Sequence, residues 1–469
     1  MENKMLPVIA IVGRPNVGKS TLFNAITKSR TALVYDMPGV TRDRQYGEAI
    51  FDDRPFIVID TGGLSGDDIE IDEHMAHQSI QAIEEADQVY FVVDGKGGLT
   101  SADEYIASLL RVRNKKVTIV VNKVDGIQEE SALSDFYQLG LGEPIPVSAS
   151  HRKGVNYLLE TTLSDCLVEV DENAVTPKGI KFALIGKPNV GKSTLTNRMI
   201  GDDRVVVYDQ PGTTRDSIYI PFKRFDKDYT IIDTAGVRRK SKVGETLEKF
   251  SIVKTLQAIR DAHVVVIVVD ARDSLTDQDL HLIGFAIHSG RAIVVAINKW
   301  DGMRAIDKEE VKKQVDRRMQ FVRDFAEIHY ISALHGTNVG HIFESIDAAY
   351  DSSNKKLTTT DLTNALKIAM EENQPPMSGR FRIKPKYAHL GGHNPPVIVI
   401  HGTQVDKLPS NYQKYLTKFF REAFKLVGTP ISLELKSTSN PFEGKKNKLT
   451  DRQEDRRRRF KKIIKKKSR

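Results

Sequence analysis

Short, nearly unbroken apolar runs alternate with longer amphipathic stretches through most of this chain. PVIAIVG, FIVID, QVYFVVD, KVTIVVN and PIPVSA come first, and IKFALIG, YTIID, HVVVIVVD, AIVVAIN and IHYISA follow. Runs this short and rich in Val and Ile read as strands, with the amphipathic segments between them as covering helices. The pattern predicts an α/β architecture, two consecutive mostly parallel sheets with helices on both faces. After about Asp351 the pattern changes. A helix over Leu362 to Glu372, strands over Phe381 to Tyr387 and Pro396 to Ile400, a helix over Ser410 to Leu426 and the strand ISLELKS predict a small α+β domain.

The two halves of the long region are copies of one unit. Gly13 maps to Gly186, Asp36 to Asp209, Thr41 to Thr214 and Asp60 to Asp233, all at one offset of 173 residues. Asn122 to Asn298 is 176 and Ser148 to Ser332 is 184. Later loops therefore differ in length, which a shared fold tolerates. VEVDENAVTPKG is acidic and lacks apolar periodicity, so it marks the boundary. The expected division is 1–167, an acidic linker 168–178, a second unit 179–351, the α+β domain 352–440 and a basic tail 441–469.

A chain of 469 residues, 40% apolar and 28% charged, is globular and long enough for about three cores. Its longest apolar runs fall far short of the roughly 20 residues of a spanning helix. MENKMLPVIAIVG carries no cleavage-site pattern, and Cys166 is the only cysteine. A cytoplasmic protein without a membrane partner is expected. From Gly444 onward, 14 Lys and Arg face 3 Asp and Glu, so the tail carries +11 of a net +8 and the remainder carries −3. A basic tail on an acidic body suits a polyanion; the blander reading is a solvated tail.

GRPNVGKST and GKPNVGKST each fall between a predicted strand and helix. Their residues are Gly13, Arg14, Pro15, Asn16, Val17, Gly18, Lys19, Ser20 and Thr21, and Gly186, Lys187, Pro188, Asn189, Val190, Gly191, Lys192, Ser193 and Thr194. Both match the phosphate-loop pattern, in which glycines let successive amides cradle phosphates. Lys19 and Lys192 are expected at the β- and γ-phosphates, and Ser20 and Ser193 on magnesium. DTGG (Asp60, Thr61, Gly62, Gly63) and DTAG (Asp233, Thr234, Ala235, Gly236) end strands and offer a carboxylate near the metal and an amide near the γ-phosphate. Thr41 and Thr214, in PGVTRD and PGTTRD, are candidates to reach magnesium when the γ-phosphate is present. A plain Pro-Gly turn is the alternative.

NKVD (Asn122, Lys123, Val124, Asp125) and NKWD (Asn298, Lys299, Trp300, Asp301) end the fourth predicted strands. An Asp carboxylate there accepts from the N1–H and amino group of guanine, donors that adenine lacks, so GTP and GDP are the expected ligands. Ser148-Ala149 and Ser332-Ala333 are placed to receive the guanine O6. Trp300 is either a neighbour of the base or a filler. The implied reaction is attack by water on the γ-phosphate, with Lys19, Thr41, Asp60 and Gly63, and Lys192, Thr214, Asp233 and Gly236, around it. Signalling GTPases carry a water-orienting Gln after the Asp-motif glycine. Leu64 and Val237 stand there, so slow unaided hydrolysis is expected. Arg42 and Arg215 are open to a charge-donating or a structural role.

Two PNVGKST units followed by a small α+β domain resemble the Der/EngA family of bacterial GTPases over nearly the whole length. The resemblance implies a KH-like third domain and a role in assembly of the large (50S) ribosomal subunit, with ribosomal RNA met by the KH-like domain and tail. It also implies a potassium ion held by Asn16 and Asn189. Unlike standard KH domains, the chain has no GxxG loop between the helices, so an RNA contact needs another surface. Arg380, Arg382, Lys384 and Lys386 alternate with apolar neighbours and suggest one; a solvated sheet edge explains them equally. A lipid-binding switch and an RNA-modifying enzyme fit less well, because no lipidation motif and no second catalytic constellation is evident. His74 and His77 have no third ligand and are given no role.

Overall fold

A computed structural model describes residues 6–27, 33–36, 45–52, 54–61, 80, 82–113, 115–163, 179–201, 205–207, 218–233, 252–273, 275–378 and 381–437. The predicted linker, Thr41, Arg42, Gly62, Gly63, Leu64, His74, His77, Thr214, Arg215, Thr234, Ala235, Gly236, Val237, Arg380 and the basic tail lie outside the described residues.

In the first repeat the order is β1 (Val8–Val12), α1 (Lys19–Thr27), β2 (Leu33–Asp36), β3 (Gln45–Phe51), β4 (Arg54–Asp60), β5 (Gln88–Asp94), α2 (Ser101–Val112), β6 (Lys116–Asn122), α3 (Glu129–Ser134), β7 (Ile145–Val147) and α4 (Val155–Leu163). The second runs β8 (Ile180–Ile185), α5 (Lys192–Ile200), β9 (Val205–Val207), β10 (Ile218–Arg224), β11 (Lys227–Asp233), α6 (Ile252–Asp261), β12 (Val264–Asp270), α7 (Asp277–His288), β13 (Ala292–Asn298), α8 (Ala305–Arg318), α9 (Gln320–Arg323), β14 (Ile328–Tyr330) and α10 (Val339–Ser353).

Both sheets have seven strands in the same order, β2-β3-β4-β1-β5-β6-β7 and β9-β10-β11-β8-β12-β13-β14. β1 pairs in parallel with β4 on one side and β5 on the other, as β8 does with β11 and β12. That reversal of strand order opens a crevice beyond the carboxyl end of β1 and of β8. Both phosphate-loop motifs begin there. Side chains alternate faces along β1: Val8, Ala10 and Val12 join one hydrophobic cluster, while Ile9 and Ile11 join another with Leu22 and Phe23 of α1. The first of these clusters continues into Ala183 and Ile185 of β8, so the two repeats share apolar packing.

Within the two repeats, the apolar-run reading missed four of the described strands. β3 and β10 pair antiparallel with β4 and β11, and β2 and β9 pair antiparallel with β3 and β10 at the sheet edges. QYGEAIF mixes buried Tyr46 and Ala49 with exposed Ile50 and half-buried Gln45 and Glu48, as a strand open to solvent on one face does.

The chain packs as two compact units. The larger comprises the described parts of Met1–Lys356, Gly392–Pro396 and Phe424–Ser432; the smaller those of Leu357–Gly391, Val397–Ala423 and Leu433–Arg469. The C-terminal elements are α11 (Thr359–Glu372), β15 (Met377–Ser378), β16 (Phe381–Arg382), β17 (Lys384–Gly392), β18 (Val397–Thr403), α12 (Ser410–Ala423) and β19 (Ser432–Ser437). β17, β18 and β19 form a three-stranded sheet in that order, and β15 and β16 a separate pair. Leu362, Leu366 and Ala369 of α11 and Leu416 and Phe420 of α12 are buried. Tyr415 Oη donates to the Ala369 carbonyl at 2.8 Å, and Thr363 Oγ1 bonds both the amide and the carbonyl of Ala388, tying α11 to the backbone of β17. The predicted cation strand is therefore divided between β16 and β17; Arg382, Lys384 and Lys386 are exposed while Ile383 and Pro385 are buried.

Candidate nucleotide-binding sites

Each loop after β1 and β8 turns so tightly that only certain residues fit. Gly18 and Gly191 have φ of 95° and 97°, and a Cβ at either would collide with the carboxamide of Asn122 or Asn298. Asn16 and Asn189, at φ 64° and 63°, take the left-handed conformation that Asn accepts more readily than most residues. Helices α1 and α5 begin at Lys19 and Lys192, so their unpaired N–H groups face the crevice.

The base motif holds this loop in place. Asn122 Nδ2 donates to the Val17 carbonyl at 2.9 Å, and its Oδ1 accepts from the Ala149 amide at 3.0 Å. Asn298 repeats both contacts, with the Val190 carbonyl at 2.8 Å and the Ala333 amide at 2.9 Å. Lys123 and Lys299, at φ 66° and 63°, reach back so that Nζ donates to the carbonyls of Asn16 at 2.7 Å and Asn189 at 2.8 Å. The same ammonium groups pair with Asp94 at 2.6 Å and Asp270 at 2.5 Å. One motif thus binds the phosphate loop, the strand end and the following turn together.

Inside the crevice, Lys19 Nζ donates to the Arg14 carbonyl at 2.9 Å, and Lys192 Nζ to the carbonyls of Gly186 and Lys187 at 3.1 and 2.7 Å. Burial pulls the Lys19 ammonium from 10.5 down to about 8, opposed by the Asp60 charge. Burial pushes the Asp60 carboxyl up, opposed by the Ser20 hydroxyl and by Lys19. Asp60 Oδ1 is buried without a hydrogen-bond partner. A desolvated ammonium, an orphaned carboxylate oxygen, a hydroxyl at the helix start and converging amides fit a phosphate chain with a divalent cation. Thr61 is buried, its hydroxyl donating to the Ile11 carbonyl at 2.7 Å. Asp233 occupies the equivalent end of β11.

At the base end, Ser148 Oγ donates to Asp125 Oδ1 at 3.0 Å and Lys96 Nζ to Oδ2 at 2.8 Å. Lys96 first and Ser148 second hold the Asp125 carboxyl down at about 2. Asp301 is lowered chiefly by a hydrogen bond from Ser332, and His335 lies 3.2 Å away. Val124 is buried in the core, and the Trp300 ring packs on Tyr330 with centroids 4.4 Å apart.

Sequence reasoning overlooked the supports. Arg14 pairs with Asp103 at 3.3 Å, and Lys187 with Asp279 at 3.1 Å. Both carboxylates close capping boxes with Thr100 and Thr276, anchoring each phosphate loop to the start of α2 and α7. Thr100 to Thr276 and Asp94 to Asp270 share the 176-residue offset of Asn122 to Asn298, a signal present in the sequence. Among the described residues no cluster of three His, Cys, Asp or Glu forms a metal site, and no helix is long and apolar enough to cross a membrane.

Comparison with known proteins agrees with this geometry. The family described as 50S ribosome-binding GTPase matches residues 8–123 and 181–299, and the KH-domain-like family of EngA bacterial GTPase enzymes, C-terminal, matches residues 356–436. The GTPase Der of Francisella philomiragia is 59% identical over 449 residues, covering 94% of this chain and 97% of its own. The GTPase Der of Idiomarina loihiensis is 55% identical over 480 residues, covering 99% and 100%. A solved structure of Era with MgGDPNP and a segment of 16S ribosomal RNA is 25% identical, with a TM-score of 0.31, over 45% of this chain and 74% of its own. Two phosphate-loop domains and a KH-like domain in this order, with relatives matched end to end, place the chain in the GTPase Der family, and it is a GTPase that binds GTP and GDP with magnesium.

Proposed function

We propose that this chain is an assembly factor of the large ribosomal subunit, in which two GTP sites set the arrangement of its domains and so gate docking on ribosomal RNA. The single observation that carries the two-site reading is the duplicated clamp: Asn122 to Val17 and Asn298 to Val190 have equivalent donors and acceptors, at 2.9 and 2.8 Å. The matched description, 50S ribosome-binding GTPase, and the EngA-type KH-like match support the choice of partner. The KH-like domain and the basic tail are assigned to the RNA.

In this reading the amides of the phosphate loops, with Lys19 and Lys192, take the triphosphate, and Asp125 and Asp301 take the guanine edge. Ser20 and Ser193, joined by Thr41 and Thr214, would hold magnesium, whose charge offsets that developing on the phosphates. Asp60 and Asp233 would provide carboxylates near it, and Gly63 and Gly236 would offer amides to the γ-phosphate. Leu64 and Val237 offer the attacking water no polar side chain, and potassium held by Asn16 and Asn189 would supply the missing charge. Asn16 and Asn189 are exposed at the lip of each loop.

Communication between the sites has a physical route. Helix α6 is the next described element after the Asp motif of the second site, and its Gln257 Nε2 donates to the Leu6 carbonyl at 3.2 Å, just before β1. Arg260 of the same helix pairs with Glu48 of β3, the strand that follows the Thr41 segment. Sedimentation with ribosomal subunits at graded salt, in GTP, GDP and a non-hydrolysable analogue, tests the proposal. Nucleotide-dependent pelleting with the large subunit is expected; equal recovery with all nucleotides, or with neither subunit, would overturn it.

A further inference from the structure

A cavity of about 200 Å³ lies where the two repeats meet. Leu6 and Ile57 of the first repeat and Leu256 and Phe285 of the second supply its apolar wall, and Glu48, Arg260 and Arg291 its charges. Glu48 on β3 pairs with Arg260 on α6 across the seam. Arg291, in the turn between α7 and β13, has no such partner. Its Nε is buried without an acceptor, and among the described residues nothing hydrogen-bonds or ion-pairs with its guanidinium. Burial first and Arg260 second pull that guanidinium below its ordinary range, opposed by the Asp261 and Glu48 carboxylates. Asp261 is itself engaged, accepting from Tyr219 Oη at 2.6 Å.

The duplicated fold does not require this isolation. At the 176-residue offset Arg291 corresponds to Lys115, whose Nζ donates to the carbonyls of Glu84 and Ala86 at 2.8 Å each. Where the first repeat keeps a satisfied ammonium, the second therefore lines a cavity with an unpaired guanidinium. Arginine stays charged, and burying a charge without a partner is costly unless an anion joins it. The lining charges decide which anion. Two arginines face one glutamate, leaving a single positive charge that a carboxylate cancels and a phosphate dianion overshoots. Size narrows the choice further: an apolar cavity of about 150 Å³ accommodates benzene, so this one has room for a carboxylate on a ring or chain of about six carbons.

We propose that this cavity is a binding site for a small apolar carboxylic acid, its carboxylate held by Arg291 and Arg260 and its body lying against Leu6, Ile57, Leu256 and Phe285. The site is separate from both GTP sites and needs neither of them. One consequence rests on the route proposed between those two sites: a ligand carboxylate that shares Arg260 with Glu48 weakens the pair, so the bound acid should loosen the coupling. A hydrated guanidinium with a purely structural role is the alternative. That role predicts a chain stabilised by an apolar replacement of Arg291 and indifferent to carboxylic acids.

The test uses the full chain with GDP and magnesium filling both phosphate loops, benzoate as the probe, and benzyl alcohol and inorganic phosphate as controls, read by titration calorimetry and melting temperature. Benzoate should bind once per chain and raise the melting temperature. Loss of the charge-assisted hydrogen bonds is worth roughly 10- to 100-fold, so Arg291→Leu should weaken benzoate by that factor, and the parent chain should bind benzyl alcohol as much more weakly. Arg291→Lys keeps the charge without the planar fork and should fall between. Ser289→Leu extends an apolar side chain into the cavity from just past α7 and should exclude benzoate with both guanidinium groups in place; it serves if Arg291→Leu fails to fold. A parent chain that ignores benzoate, equal affinity in the variants or for the alcohol, or displacement of benzoate by phosphate overturns the site. With benzoate saturating, the effect of GTP at the second site on affinity at the first should shrink, as it should in Arg260→Ala. Unaltered coupling beside intact benzoate binding overturns that consequence alone and leaves the site standing.

Discussion

Asn122 spans the nucleotide crevice of the first repeat, donating to the Val17 carbonyl and accepting from the Ala149 amide. It is 3% exposed, so its loss leaves both partners buried and unpaired, at about 1–3 kcal/mol each. Asn122→Ala should therefore loosen the phosphate loop and the base loop together. The expected outcome in titration calorimetry is loss of one of two guanine-nucleotide sites with the other intact. Asn298→Ala should remove the opposite one, and loss of both sites from either change would contradict the independence of the two clamps.

Guanine selection rests on two carboxylates. A hydrogen bond to a charged group contributes about 1.5–3 kcal/mol, and Asp125 would make two to the base, so Asp125→Asn should weaken GTP at the first site by roughly a hundred- to ten-thousand-fold. Xanthosine triphosphate, which presents an acceptor where guanine has its amino group, should gain affinity. Lys96 and Ser148 hold this carboxyl at about 2. Because its ionised form persists far below neutrality, GTP affinity should not respond to Asp125 titration between pH 8 and 5. Competition binding with the two triphosphates across that range checks both statements.

Lys19 has the opposite pH signature. Burial lowers its ammonium to about 8, and a triphosphate brought beside it would raise the value again. Binding at pH 8 to 9 should therefore take up protons, and GTP affinity at the first site should fall as pH rises through 8. In the ligand-free chain the sign for stability is reversed: the unfolded lysine holds its proton up to 10.5, so the destabilisation from Lys19 is full below 8 and relieved between 8 and 10.5. Calorimetry in buffers of different ionisation enthalpy measures the uptake. An absence of proton exchange at pH 8.5 would contradict it.

The contact between repeats predicts coupling. Arg260 and Glu48 are each about one-third exposed, which limits the pair to about 1 kcal/mol, or several-fold in affinity. Arg260→Ala should shrink by that much the effect of GTP at the second site on nucleotide affinity at the first. The exchanged pair Arg260→Glu with Glu48→Arg should restore it. Affinities at one site measured with the other emptied by Asp125→Asn or Asp301→Asn provide the readout.

The parts of this site that are legible in the sequence are those where backbone geometry dictates residue type. Gly18 must be glycine against Asn122, and the duplicated spacing announces it twice. Buried parallel strands such as VVVIVVD are equally visible, since both faces are apolar. β3 was not, because its solvent-facing positions dilute the apolar run, and in β10 Pro221 sits within the apolar run IYIPF, a residue that argues against a strand. Arg14 with Asp103 and Arg260 with Glu48 are long-range pairs, 89 and 212 residues apart, formed only once the sheets are assembled. The cavity that Arg291 lines likewise needs the two repeats side by side.

Potassium dependence can be separated from loop geometry at Asn16 and Asn189. Their backbones are left-handed and their carbonyls are held by Lys123 and Lys299, so replacing them with alanine would strain the loop as well as remove the carboxamide. Glycine adopts φ near +64° without steric cost. Asn16→Gly and Asn189→Gly should therefore preserve the hydrogen bonds to the lysines and GTP affinity within a few-fold. If the carboxamides hold potassium, hydrolysis by the parent chain should rise when potassium replaces sodium, and each glycine variant should lose that rise at its own site. Rates measured in both salts, with the neighbouring site disabled through its base-selecting Asp, decide the matter. Equal rates of the parent chain in sodium and potassium would remove the role given to both asparagines and leave the charge on the attacked phosphate to lysine, amides and magnesium alone.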